Sequence, residues 1–187
     1  MQEPIPGAAP STATLAFGPL GHLLFKASKL AAIFGGLIFV AIVVMSIISI
    51  VGRKLWAAPV PGDVEMLQMA AAFASASFFA YCHMNGGDVK VDFFTAKASP
   101  ATVHRLEAFG SLLVGLVGAL ITWRAGVGAL GIKEAGETSM ILGWPVWIAQ
   151  MLMLPGFLLM ALAGFYMVGI HLRLSMVQSG LNSGVQA

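Results

Sequence analysis

The sequence predicts an all-α integral membrane protein: four transmembrane helices, with an interfacial connector between the second and the third. Three observations carry that expectation. Apolar residues make up 58% of the chain and charged residues only 10%, which leaves too little polar surface to coat a water-soluble domain. Four segments, 31–51, 66–84, 108–130 and 140–170, are free or nearly free of charge. Each is long enough to cross a bilayer, which takes about 20 residues in a helix with every backbone N–H and C=O satisfied internally. Finally, turn and cap residues fall where these segments begin and end.

Residues 1–28 are rich in Pro, Ala and small polar residues and have no basic stretch leading into an apolar core. They read as a flexible or interfacial cytoplasmic segment and not as a cleaved signal peptide. Residues 29–171 form the four-helix transmembrane domain, and 172–187 a cytoplasmic tail. Helix 1 closes on Arg53 and Lys54. Asp63, after Pro61 and Gly62, is placed to cap helix 2, with Glu65 in its first turn favoured by the helix dipole and in reach of Arg53. Gly86 and Gly87 end helix 2. In the connector Val89, Val91, Phe93 and Phe94 dip into the interface, while Lys90, Asp92 and Lys97 stay in water. Ser99 followed by Pro100 is an N-cap with proline at the first helical position, so helix 3 starts well before its apolar run and carries His104, Arg105 and Glu107 at headgroup level. Pro145 is expected to open helix 4, with Trp144 and Trp147 in the interface. Pro155, farther in, deprives the Met151 carbonyl of its donor and is expected to kink the helix.

What the spans lack is as informative. A self-sufficient transporter or pump places ionisable groups near the midplane to hold substrate or relay protons. Here only Gln150 is polar near Pro155, and Arg124 lies close enough to the outer end of helix 3 to snorkel. Nor does either half of the chain repeat the other, as secondary transporters commonly do. The single cysteine, Cys82, forms no internal disulfide and no multi-cysteine metal site. Without a preceding strand or a Gly-Lys-Ser/Thr sequence, the connector glycines do not cradle phosphate. No catalytic residue, cofactor, metal site or nucleic-acid surface is expected.

The helices do offer small residues at helical spacing: Ser111, Gly115, Ala119 and Thr122 on helix 3, and Ala70, Ala74, Ser77 and Tyr81 on helix 2. Such faces let helix backbones approach closely, within the chain or against a partner. Six basic residues (Lys26, Lys29, Lys90, Lys97, Arg105, Arg173) fall on the side of the termini and four (Arg53, Lys54, Arg124, Lys133) on the other. That asymmetry places the termini in the cytoplasm.

Several of these residues together resemble the small membrane subunit of tripartite ATP-independent periplasmic (TRAP) transporters, the DctQ-type family. They are Arg53 closing helix 1, Glu65 opening helix 2, the Gly-Gly-x-x-x-Val-Asp run of Gly86, Gly87, Val91 and Asp92, Ser-Pro opening helix 3, and Pro145, Trp147, Pro155 and Gly156 in helix 4. The separation of Glu65 from Asp92 is the family's own. Where the family usually has adjacent glutamates after a tryptophan this chain has Asp63, Val64 and Glu65. Gln68 replaces a common arginine and Asp88 a common histidine, which marks a divergent branch.

The resemblance implies a multi-pass protein of the bacterial inner membrane that transports nothing by itself. Its large permease partner would carry organic acid and sodium in an elevator-like motion, so the sodium coupling lies outside this chain. A periplasmic substrate-binding protein would dock transiently, and lipids would surround the assembly. The small subunit braces the static part of the permease. Two alternatives stand beside it: a haem or quinone redox subunit, suggested by His22, His83, His104 and His171 near the cytoplasmic helix ends, and a stand-alone membrane scaffold.

Overall fold

A computed structural model describes residues 17–88 and 99–185; residues 1–16, 89–98 and 186–187, and with them Lys90, Asp92 and Lys97, lie outside the described residues. Four helices account for nearly all of the rest: α1 (Pro19–Trp56), α2 (Asp63–Met84), α3 (Pro100–Ala135) and α4 (Val146–Val185). Of these, α1, α3 and α4 are long and apolar enough to cross a membrane. With 38, 36 and 40 residues, they would rise about 54–60 Å at 1.5 Å per residue, well beyond a hydrocarbon core about 30 Å thick. The 22 residues of α2 give about 33 Å.

Local chemistry sets most of the boundaries. Ser99 is the N-cap of α3, its hydroxyl accepting from the Thr102 amide at 3.3 Å, with Pro100 following as expected. Asn85 caps the C-terminal end of α2, and Gly86 takes a positive φ of 65° to turn the chain away. Asp63, in contrast, is not the cap of α2. That position belongs to Gly62, at φ 71°, and the left-handed geometry suits a residue without Cβ. A Cβ there would also lie 2.5 Å from Leu142, so Gly62 is doubly required. At α4 the helix starts at Val146, one residue after Pro145. Residues 140–142 are a turn, and Pro145 instead forms a lone antiparallel bridge with Thr138. The helix then runs unbroken through Pro155 to Val185, so the expected tail begins as helix.

The helices form a row in the order α1–α2–α4–α3, with α1 touching α4 only slightly. Small residues make each seam. Cβ atoms added to Gly35 of α1 and Gly156 of α4 would lie 2.9 Å from the Ala74 carbonyl oxygen and 2.6 Å from that of Ala76, on two sides of α2. Between α3 and α4, a Cβ on Gly118 would lie 2.8 Å from the Ala161 nitrogen and one on Gly164 would lie 2.5 Å from that of Gly115. Backbone contact this close provides the dispersion and weak polar contacts that hold helices together where lipid is as apolar as the side chains. Farther along α1, α2 and α4, toward the end that carries the chain termini, Ala80, Met84 and Ala163 form the core, flanked by Phe17, Phe25 and Tyr166.

This packing explains the composition of α2. Flanked by α1 and α4, it meets protein on two sides, and Ala74, Ala76 and Ala80 are at most 1% exposed. It therefore needs small residues where the edge helices need large apolar ones. Those edge helices leave Leu37, Val40, Ile47 and Ile50 of α1 and Leu113, Leu116, Leu120 and Val127 of α3 open to the surroundings.

Candidate functional site

At the end of the row opposite the termini, polar groups clasp the helix ends together. Asp63 accepts from the Ser49 hydroxyl at 2.5 Å and from Arg53 at 3.0 Å, joining α1 to α2. Arg53 thus pairs with Asp63 and not with Glu65 as expected. Glu65 reaches across to the turn before α4, where its two oxygens accept the amides of Ile141 at 2.9 Å and Leu142 at 3.1 Å. This turn folds on itself, the Ser139 amide donating to the Trp144 carbonyl at 2.8 Å and the Trp144 amide to the Ser139 hydroxyl at 3.2 Å. Lys133 sits 4.9 Å above the Trp147 ring, pinning the end of α3 on the start of α4.

Both carboxylates precede the apolar stretch of α2 and are shifted toward the ionised form. The Ser49 hydroxyl is the largest influence on Asp63; burial opposes it, and the Val64 amide and Arg53 add to it, so the carboxyl stays below its ordinary value of 3.8. For Glu65 burial is the largest influence and works upward, but the Ile141, Leu142 and Met140 amides and the Ser139 hydroxyl together outweigh it and hold the group below 4.5. Both are therefore charged at neutral pH, the state the clasp requires.

Next to the clasp lies an apolar cleft of about 390 Å³, bounded by Phe34 and Ile38 of α1, Met69 and Phe73 of α2, and Ile148 and Leu152 of α4. Gln150 lies deeper in α4. Its Oε1 is buried with no hydrogen-bond partner, and its amide nitrogen packs on Gly128 of α3. Among the described residues that oxygen makes no hydrogen bond across the helix pair.

The opposite end of the row holds the histidines. His104, which is buried, and Glu107 beside it face α4; Arg105 donates from Nε to the Ser175 hydroxyl at 3.2 Å. Glu107 Oε2 lies 3.0 Å from His104 Nδ1 and 3.1 Å from His171 Nδ1. The two imidazoles stack, with centroids 6.0 Å apart and planes at 29°. Axial haem ligands point their nitrogens at one iron from opposite sides, and stacked rings sharing a carboxylate do not have that arrangement. His83, also buried, meets Asp88 through Nδ1. The sequence placed His104 and His171 at the same end of the helices but did not foresee that Glu107 joins them. The spacing of His104 and Glu107, on one helix face, was the available signal.

The motif residues do not gather into one pocket. Most of those described lie where helices meet: Arg53 between α1 and α2, Glu65 between α2 and the turn into α4, Pro145 in that turn, Trp147 between α3 and α4, and Gly156 between α4 and α2. Gly87 packs against Cys82, where the chain leaves α2, and Pro155 precedes the Gly156 contact. Asp92 lies outside the described residues. On helix 3, Ser111 and Gly115 lie in the α4 seam as the small-residue spacing suggested, and Gly118, which that spacing did not include, makes a further close approach. That face therefore packs within the chain. Residues 29–173 match the family model for the DctQ component of tripartite ATP-independent periplasmic transporters. No curated protein and no solved structure matches the chain.

Proposed function

The chain belongs to the DctQ family and is the small membrane subunit of a TRAP transporter; from that premise we propose that it is a non-catalytic brace. In this reading it stiffens the static part of a large, sodium-coupled permease subunit in the bacterial inner membrane and supports uptake of organic acids delivered by a periplasmic binding protein. The supporting observation is where its polar groups lie: the clasp and the histidine cluster sit at opposite ends of the row, and between them the close approaches of the helices are made at Gly, Ala and Ser. Such a body has the rigidity of a strut and offers broad apolar faces to lipid and to a membrane partner.

Within this proposal α2 is the fourth crossing, shielded from lipid by its neighbours, and the connector after Gly87 runs along the cytoplasmic interface. Co-expressed with the large permease of its own transporter and solubilised in mild detergent, the chain should co-purify with it at a fixed ratio. Recovery as a separate species under conditions that keep the permease folded would favour the stand-alone scaffold. The basic asymmetry sets the orientation: in a background without Cys82, a cysteine at Lys133 should react with an impermeant thiol reagent applied outside, and one at Lys97 should not. The reverse pattern would place the termini outside.

A further inference from the structure

We propose that His104, Glu107 and His171 form a binding site for one divalent transition-metal ion of the zinc class, fastening α3 to α4 at the end that carries the termini. Each residue offers one ligand atom, and the three atoms lie within 4.8 Å of one another. All three side chains are at most 11% exposed. His171 supplies the second observation. Its Nδ1 is buried and has no hydrogen-bond partner among the described residues, although it lies 3.1 Å from Glu107 Oε2, so a polar atom that folding has stripped of water lies beside the cluster without a hydrogen bond.

A bound cation would satisfy that atom. Ligands at about 2.0–2.1 Å in a tetrahedral arrangement stand about 3.4 Å from one another. The spacings of 3.0 and 3.1 Å between the carboxylate oxygen and the two Nδ1 atoms need only a small opening. Two imidazoles and one carboxylate are a donor set suited to zinc and its first-row neighbours, and leave a fourth position for water or another ligand. Helix geometry supports the arrangement: His104 and Glu107 are three residues apart and share the face of α3 turned to α4. His171 comes from the antiparallel helix, so the ion would join two elements. Next to the cluster the Arg105–Ser175 hydrogen bond makes the same connection without metal.

The test uses the full-length chain in detergent, purified without a polyhistidine tag, and zinc itself as probe. After gel filtration in chelator-treated buffer and loading with Zn²⁺, the parent should hold one zinc per chain by elemental analysis. X-ray absorption at the zinc edge should read two imidazoles with oxygen and no sulfur. Loss of a second-shell partner alone weakens metal sites about 10–100-fold, so Glu107→Gln and His171→Gln, which remove ligands, should each weaken zinc at least about 100-fold in competition with a chromophoric chelator. His83→Gln should bind as the parent does. A parent without stoichiometric zinc, a sulfur ligand that points to Cys82, parental affinity in Glu107→Gln, or loss of zinc in His83→Gln would each overturn the proposal. The stoichiometry and the spectrum of the parent decide it without any variant, should the variants fail to fold.

Discussion

Gly164→Ala should destabilise the chain severely although it adds a single methyl group. The added carbon would lie 2.5 Å from the Gly115 nitrogen, 2.7 Å from its Cα and 2.9 Å from the Ser111 carbonyl oxygen. All three are backbone atoms, so no side-chain rotation relieves the overlap, and α3 must move off α4 along the longest seam in the structure. Overpacking typically costs about 1–3 kcal/mol, and a clash with backbone belongs at the upper end. For a chain of this size that corresponds to a fall of about 6–12 °C in thermal midpoint, measured in detergent. Gly115→Leu should behave alike, driving into Phe165, whereas Leu116→Ala, at a position 51% exposed, should be mild. Gly131→Ala is the internal control: nothing lies within 4 Å of the new carbon, and the gain in helix propensity, about 0.5–1 kcal/mol, should leave it unharmed. Equal midpoints for Gly164→Ala and Gly131→Ala would show that α3 and α4 do not meet at these glycines.

Gly156→Leu should separate the row into two pairs of helices. A carbon at that position meets the Ala76 carbonyl at 2.6 Å to oxygen and 2.7 Å to carbon, and a leucine adds three more carbons in the same place. Since α1 touches α4 only slightly, the α2–α4 seam is the main joint between the α1–α2 pair and the α4–α3 pair. In a Cys82-free background, a short bis-methanethiosulfonate, which releases a sulfinate at each thiol it captures, should join cysteines placed at Ala80 and Ala163, which share the core, in the parent and fail to do so in Gly156→Leu. Cysteines at Ser28 and Met84, in contact between α1 and α2, should cross-link in both. If the Ala80–Ala163 link survives while the other is lost, α2 is held to α4 by something other than this close approach.

The parts of this fold that were legible in the sequence are those that short stretches decide. Apolar length marked the helices, and the Ser99–Pro100 cap and the turn at Gly86 were read correctly because their partners lie within a few residues. Asp63 was misread because the groups that hold it, Ser49 and Arg53, come from the preceding helix. Once they engage its carboxylate, the glycine before it becomes the cap. Glu65 was placed at the correct end of α2 but given the wrong partner, since its true ones are backbone amides in a turn about eighty residues away, a distance no local pattern encodes.

The small-residue face of helix 3 was half legible. At 3.6 residues per turn, steps of three and four both stay on one face, and only the position of α4 brings Gly118 into the seam as well. The pairing of His104 with His171 needed the register of two antiparallel helices. The two-sided packing of α2 needed the order of the row: its Ala74–Ser77 side was foreseen and its Ala76–Ala80 side was not.

The central claim is that this chain supports transport without taking part in coupling, and the polar residues that could contradict it are Glu65, Gln150 and Asp92. Glu65 is engaged with the turn before α4, and the side-chain amide of Gln150 packs against α3. The decisive measurement is the sodium dependence of substrate uptake by the complete transporter in liposomes, with each of the three replaced by Ala and the rate divided by the amount of assembled complex. The brace reading expects fewer complexes for Glu65→Ala, whose clasp is lost, and in all three variants the parent's half-saturating sodium concentration and substrate preference per complex. A displaced sodium dependence in any variant that assembles normally would contradict it and place this chain within the coupling machinery.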